Sequence, residues 1–114
     1  MLTSGDVVEL DLGPPQGREA GFSRPAVVVT AQRILDGSPL VVQVVPLTST
    51  IRAFYSEVLV EPDATNGLDN PSAAQCQHLR ALSTGRLGNV RGNVGAAVLS
   101  QVREVIALLL DLPG

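Results

Sequence analysis

Two runs of apolar, β-branched residues stand out along the chain, Pro25 to Thr30 (PAVVVT) and Leu40 to Pro46 (LVVQVVP). Runs this short and this rich in Val read as buried strands. Asp6 to Leu12 (DVVELDL) alternates in part and predicts an earlier strand, and Ser56 to Val60 (SEVLV) predicts a later one. The punctuation between them is turn chemistry. Gly13 to Gly17 carries two prolines, Asp36-Gly37-Ser38-Pro39 is a turn, and Asp63 to Pro71 mixes Gly, Asn, Asp and Pro. Arg18 to Arg24 and Leu47 to Arg52 read as polar loops. Ser72 to Leu82 has room for one or two short strands, and the Gly and Asn of Asn89 to Val94 predict a turn.

The period changes near the end. Val98, Val102, Val105, Ile106 and Leu109 recur at the spacing of one helical face, with Asn93 as the predicted N-cap. Leu108 and Leu110 fall off that stripe, so the end of this helix is apolar nearly all round. Such an end predicts burial on more than one side, in the core or against a second subunit. Many short strands followed by one helix imply a mainly β, α+β fold: a small antiparallel barrel with a C-terminal α-helix packed on it.

The totals narrow the possibilities. The chain has 114 residues, 45% of them apolar, which predicts a single domain over 1–114 with its own core. One cysteine, Cys76, permits no internal disulfide and reads as a small buried hydrophobe. One Cys and one His exclude a standard zinc site, so no metal and no cofactor is expected. No basic-then-apolar leader opens the sequence and no apolar run reaches the length of a membrane span, which predicts a cytoplasmic protein with no membrane partner. Net charge is −3, yet all eight basic residues are Arg. A generic nucleic-acid binder is basic. Any phosphate recognition here therefore rests on a local group of Arg forks, not on a global positive field.

Two loops border the most apolar strands. One, Gly17-Arg18-Glu19-Ala20-Gly21-Phe22-Ser23-Arg24-Pro25, leads into the first; the other, Pro46-Leu47-Thr48-Ser49-Thr50-Ile51-Arg52, follows the second. If those strands pair antiparallel, Arg24 and Thr48 meet at one rim of the sheet. A guanidinium and a hydroxyl converging there suit an anionic phosphoryl group.

These residues also carry a resemblance. Gly5 to Leu12, Gly17-x-Glu19 and Arg24-Pro25-Ala26-Val27-Val28-Val29 resemble the opening of MazF/PemK-type toxins. Pro46-Leu47-Thr48-Ser49-Thr50 resembles that family's second motif, and Asn66-Gly67-Leu68 with Ser72 to Leu82 its third block. The helix ending Leu110-Asp111-Leu112 is similar to its last element, so the likeness spans Ser4 to Leu112. It implies an SH3-like barrel of the CcdB/MazF/Kid type, a homodimer, sequence-specific cleavage of single-stranded RNA, and a MazE-like antitoxin. Carried over, Arg24 is the main catalytic residue and Thr48 its phosphate-binding partner, with Glu19 at the acidic loop position.

The chemistry is coherent without the resemblance. RNA brings its own nucleophile, the 2′-hydroxyl, so a base, a cation for the phosphorane and an acid for the leaving oxygen suffice. Arg24 supplies the cation, Thr48 orients the phosphate, and Glu19 acts as base or holds Arg24. Arg18, Phe22, Ser23, Ser49, Thr50 and His78 are candidate substrate contacts, with Phe22 either stacking a base or covering the core edge. His78 stands where the family often has Gln, and as a lone strand His it reads equally as structural. Val8 replaces the Trp of many members. Arg80, Arg86 and Arg91 either touch phosphates or are simply solvated. Two rival functions share the fold: a poison of DNA gyrase, as CcdB is, and a silent RNA- or protein-binding barrel. The gyrase reading calls for an aromatic-containing C-terminal end, and this chain ends Leu110-Asp111-Leu112-Pro113-Gly114.

Overall fold

The computed structural model describes residues 1–11 and 23–113. Strands β1 (Asp6–Asp11) and β2 (Ser23–Val28) are followed by a one-turn helix α1 (Gln32–Leu35). Then come β3 (Val41–Thr48), β4 (Glu57–Val60), β5 (Ser72–Gln75), β6 (Arg80–Ser83), β7 (Leu87–Asn93) and the long helix α2 (Gly95–Leu110). The strands form one seven-stranded sheet in the order β4-β5-β3-β2-β1-β7, with β6 also on β3. Every pairing is antiparallel. The expected α+β class, an antiparallel sheet with a C-terminal helix, is what the chain adopts. The barrel is open, because β4 and β7 are the two ends of the pairing path.

β3 organises the sheet. At eight residues it is the longest strand, and its two halves take different partners: β6 along Val41–Val44, β5 at Leu47 and Thr48. Its other edge pairs with β2 through Ala26–Pro46, Val27–Val45 and Val28–Val44. Pro46 is tolerated because a proline needs only the acceptor side of a ladder.

Side chains alternate across the sheet, and both faces are apolar. On one face Val7, Val27, Val45, Leu47, Val58, Val60 and Ala74 pack under Leu99 and Val102 of α2. On the other, Val8, Leu10, Ala26, Val28, Val42, Val44 and Leu82 pack with Leu35 of α1. A strand buried on both faces reads as an unbroken apolar run, which is why β2 and β3 were recognisable in the sequence.

Three local expectations need correction. Arg24 is the second residue of β2 and not a loop residue, and β3 continues through Leu47 to Thr48. Residues 89–94 are mostly strand. β7 keeps its Gly and Asn because another backbone lies against it: a Cβ on Gly92 would sit 2.2 Å from the Thr65 carbonyl oxygen. The side chain of Asn93 accepts from the Gly95 N–H at 2.7 Å, but Val94 is the N-cap residue of α2. Leu108 and Leu110 are 66% and 57% exposed in the single chain, so of the two expected burial sites the core is excluded and a second subunit is left. Among the described residues no helix is long and apolar enough to cross a membrane.

Candidate functional site

The β2–β3 register ends at Ala26–Pro46. Continued by two residues, it sets Arg24 opposite Thr48. Alternation then places both on the face opposite α2, just beyond the cluster of Val8, Ala26 and Val44. The same face takes in Gln75 of β5 and Glu57 of β4, which are register partners. Arg24 and Thr48 thus lie level with Ala73 of β5, while Gln75 and Glu57 lie two residues away, level with Pro46.

One hydrogen bond locates the guanidinium. Arg24 Nη1 donates to Gln75 Oε1 at 3.3 Å. β2 and β5 are not neighbours; β3 runs between them. Adjacent strands lie about 4.8 Å apart, so the two backbones are separated by roughly 10 Å. The Arg24 side chain must therefore span β3, passing between Pro46 and Thr48. Thr48 is half-buried, and its Oγ1 accepts from the Thr50 N–H at 3.1 Å. That bond holds the hydroxyl in one rotamer and leaves its proton to be donated. A guanidinium and a hydroxyl on one face are donor types suited to phosphoryl oxygens.

Glu57 shapes the neighbouring loop. Its Oε1 accepts from the N–H groups of Arg52 and Ala53 at 3.0 and 3.1 Å. Ala53 has φ of 57°, a left-handed conformation that costs a non-glycine residue energy, and the carboxylate clamp offsets it. Oε2 of Glu57 is buried with no hydrogen-bond partner among the described residues. The loop so held exposes Phe54 and Tyr55, flat side chains that no motif marks in the sequence.

The other expected site residues scatter. Ser49 and Thr50 follow Thr48 and are exposed. His78 closes a short helical turn, Cys76–His78, after β5 and is half-buried. Ser23 is the first residue of β2. Arg18, Glu19 and Phe22 lie outside the described residues. Arg91 is a structural cation, bonded to Glu9 at 2.8 Å and Asp69 at 3.3 Å. Arg80 sits on β6 opposite Val44, on the face of Arg24, and Arg86 ends the turn after β6. Burial pushes the Cys76 thiol up to about 11, which fits an inert core residue. Gln75 carries no motif, and only the register reveals that it faces Arg24.

Fold and candidate site together describe a small antiparallel β-sheet protein with a C-terminal helix and an Arg24–Gln75 bond across its central strand. Comparison with known proteins identifies the class more narrowly. The profile of the PemK-like, MazF-like toxins of type II toxin–antitoxin systems matches residues 3–110, and the chain belongs to this family. It is 39% identical to endoribonuclease MazF9 of Mycobacterium tuberculosis over 98% of both chains. Among solved structures it is similar to MazF from Deinococcus radiodurans, with a TM-score of 0.79 and 28% identity over 95% of this chain and 94% of that one. The MazE–MazF structure from the same organism superposes with a TM-score of 0.72 and 28% identity, covering 96% of each chain.

Proposed function

We propose that this chain is the toxin of a toxin–antitoxin pair, an endoribonuclease that cuts single-stranded RNA at a short recurring sequence without a metal. The reading is supported by the Arg24 guanidinium, which bonds Gln75 across β3, and by the β2–β3 register, which continued two residues sets Arg24 opposite Thr48. Relatives named as endoribonucleases supply the reaction class. In the reaction the 2′-oxygen bonds to phosphorus and the bond to the 5′-oxygen breaks. A base takes the 2′-hydroxyl proton and an acid returns one to the leaving 5′-oxygen. The products are a 2′,3′-cyclic phosphate and a 5′-hydroxyl. Arg24 stabilises the charge of the phosphorane, and Thr48 donates to a non-bridging oxygen. Glu19 is the proposed base or the anchor of Arg24. Arg18, Phe22, Ser23, Ser49, Thr50 and His78 contact the RNA strand.

The chain works in the cytoplasm as one toxin domain. A MazE-like antitoxin, the partner present in the Deinococcus structure, covers the site in the resting cell. The functional unit is a homodimer, which the exposed Leu108 and Leu110 at the apolar end of α2 support.

The test is incubation of the purified, antitoxin-free protein with a long single-stranded RNA in EDTA, followed by mapping of the cut ends. Discrete cuts at one recurring sequence, bearing cyclic phosphates, are the expected result. Cleavage that EDTA abolishes contradicts the metal-free chemistry, and bound but intact RNA points to a silent barrel.

A further inference from the structure

Among the described residues Gln75 is the side chain bonded to the Arg24 guanidinium, and it is an amide. It is 5% exposed, so its side chain has left bulk water and needs a partner. Arg24 Nη1 supplies one. Without that bond the long Arg24 side chain has other rotamers open to it, since its own Cα lies two strands away. A carboxylate in the same place would hold the guanidinium more tightly. It would also cancel much of the positive charge and compete with a phosphate for the same donors. The nearby carboxylate of Glu57, the cross-strand neighbour of Gln75, accepts from backbone N–H groups through Oε1, and its buried Oε2 has no partner among the described residues, the Arg24 guanidinium included. Among the described residues no acid forms an ion pair with Arg24.

We propose that Gln75 is a positioning residue for RNA cleavage, a neutral acceptor that pins the Arg24 guanidinium over β3 beside Thr48 while leaving its charge for the scissile phosphate. The proposal rests on the endoribonuclease reading above. It makes two demands that a purely structural glutamine does not. The effect of removing Gln75 must run through Arg24, and a negative charge at this position must inhibit even where shape and hydrogen bond are kept.

The experiment measures single-turnover cleavage of an RNA oligonucleotide carrying one mapped site. It compares wild type, Arg24→Ala, Gln75→Leu, Gln75→Glu and the Arg24→Ala/Gln75→Leu double variant, each checked for folding by circular dichroism. Gln75→Leu is expected to lower the cleavage rate on the order of 10-fold, and to lower it no further when Arg24 is already Ala. Gln75→Glu is expected to be impaired at neutral pH and to regain activity relative to wild type as the introduced carboxyl protonates on acidification. Glu57 on β4, Arg24 on β2 and Arg80 on β6 share this face, and His78 follows β5 three residues on; all are present in both proteins. The ratio of the two pH profiles therefore isolates the introduced group. Full activity in Gln75→Leu beside an inactive Arg24→Ala overturns the proposal and spares the function. So does a loss that multiplies in the double variant, since that is a structural effect. A Gln75→Leu chain that fails to fold leaves the decision to Gln75→Glu, whose flat ratio across pH overturns the proposal. A fully active Arg24→Ala refutes the underlying site, and Gln75 with it.

Discussion

Asn66 is 1% exposed, and its side chain bonds three backbone groups in the bend between β4 and β5. Nδ2 donates to the Glu61 carbonyl at 2.8 Å, and Oδ1 accepts from the Asp63 and Leu68 N–H groups at 3.2 and 3.0 Å. The bend matters because it lies on β7. The Asn93 N–H bonds the Thr65 carbonyl at 2.8 Å, and Gly67 fits against Arg91 with φ of 69°. Asn66→Ala strands all three backbone groups. At about 1 kcal/mol each, the loss is about 3 kcal/mol. With an unfolding entropy of about 2.1 cal/mol/K per residue, a chain of this size should melt about 12 °C lower. The assay is thermal or urea unfolding at one fixed protein concentration, since subunit association shifts Tm. A loss under about 1 kcal/mol in Asn66→Ala refutes the claim that this side chain holds the bend.

Three further outcomes follow from the same structure. Asp63 accepts from the Thr65 N–H, the Thr65 hydroxyl and the Asn66 N–H, and these bonds hold its carboxyl below its ordinary 3.8. A depressed folded-state value stabilises above the unfolded value and is lost as pH falls, so the stability gap between wild type and Asp63→Ala should shrink below about pH 4 in acid unfolding curves. Cys76, buried and raised to about 11, should resist thiol reagents at pH 8 in the native protein and react once urea unfolds it. Leu108→Glu/Leu110→Glu, on exposed positions, should convert a dimer to a folded monomer by light scattering. An unchanged mass removes the end of α2 from the interface.

The frame of the candidate site was legible because it is anchored to the most regular part of the sequence. β2 and β3 are apolar on both faces, so they appear as uninterrupted Val-rich runs, and their antiparallel register, continued two residues, sets Arg24 opposite Thr48. Helix α2 was legible from Val98, Val102, Val105 and Leu109 for the same reason. β7 was hidden because its glycines answer to a tertiary demand, the backbone of 65–66 lying against Gly92, and not to a turn. Helix α1 is one turn long, too short for any period to register. Gln75 and Glu57 stayed hidden because their importance lies in a register that joins residues 24, 57 and 75. The exposed Leu108 and Leu110 show the limit of a burial rule applied to one chain of an associating protein.

In the proposed reaction Arg24 and Thr48 act together on one phosphate. Cleavage rates of Arg24→Ala, Thr48→Ala and the double variant on one mapped RNA site, all folded and free of antitoxin, decide whether they do. Loss of a phosphate-directed donor typically costs about 10²- to 10³-fold. Arg24→Ala should lose about that much, Thr48→Ala somewhat less, and the double variant should lose less than the product of the two. Wild-type rates in Arg24→Ala, or two losses that simply multiply, would contradict it.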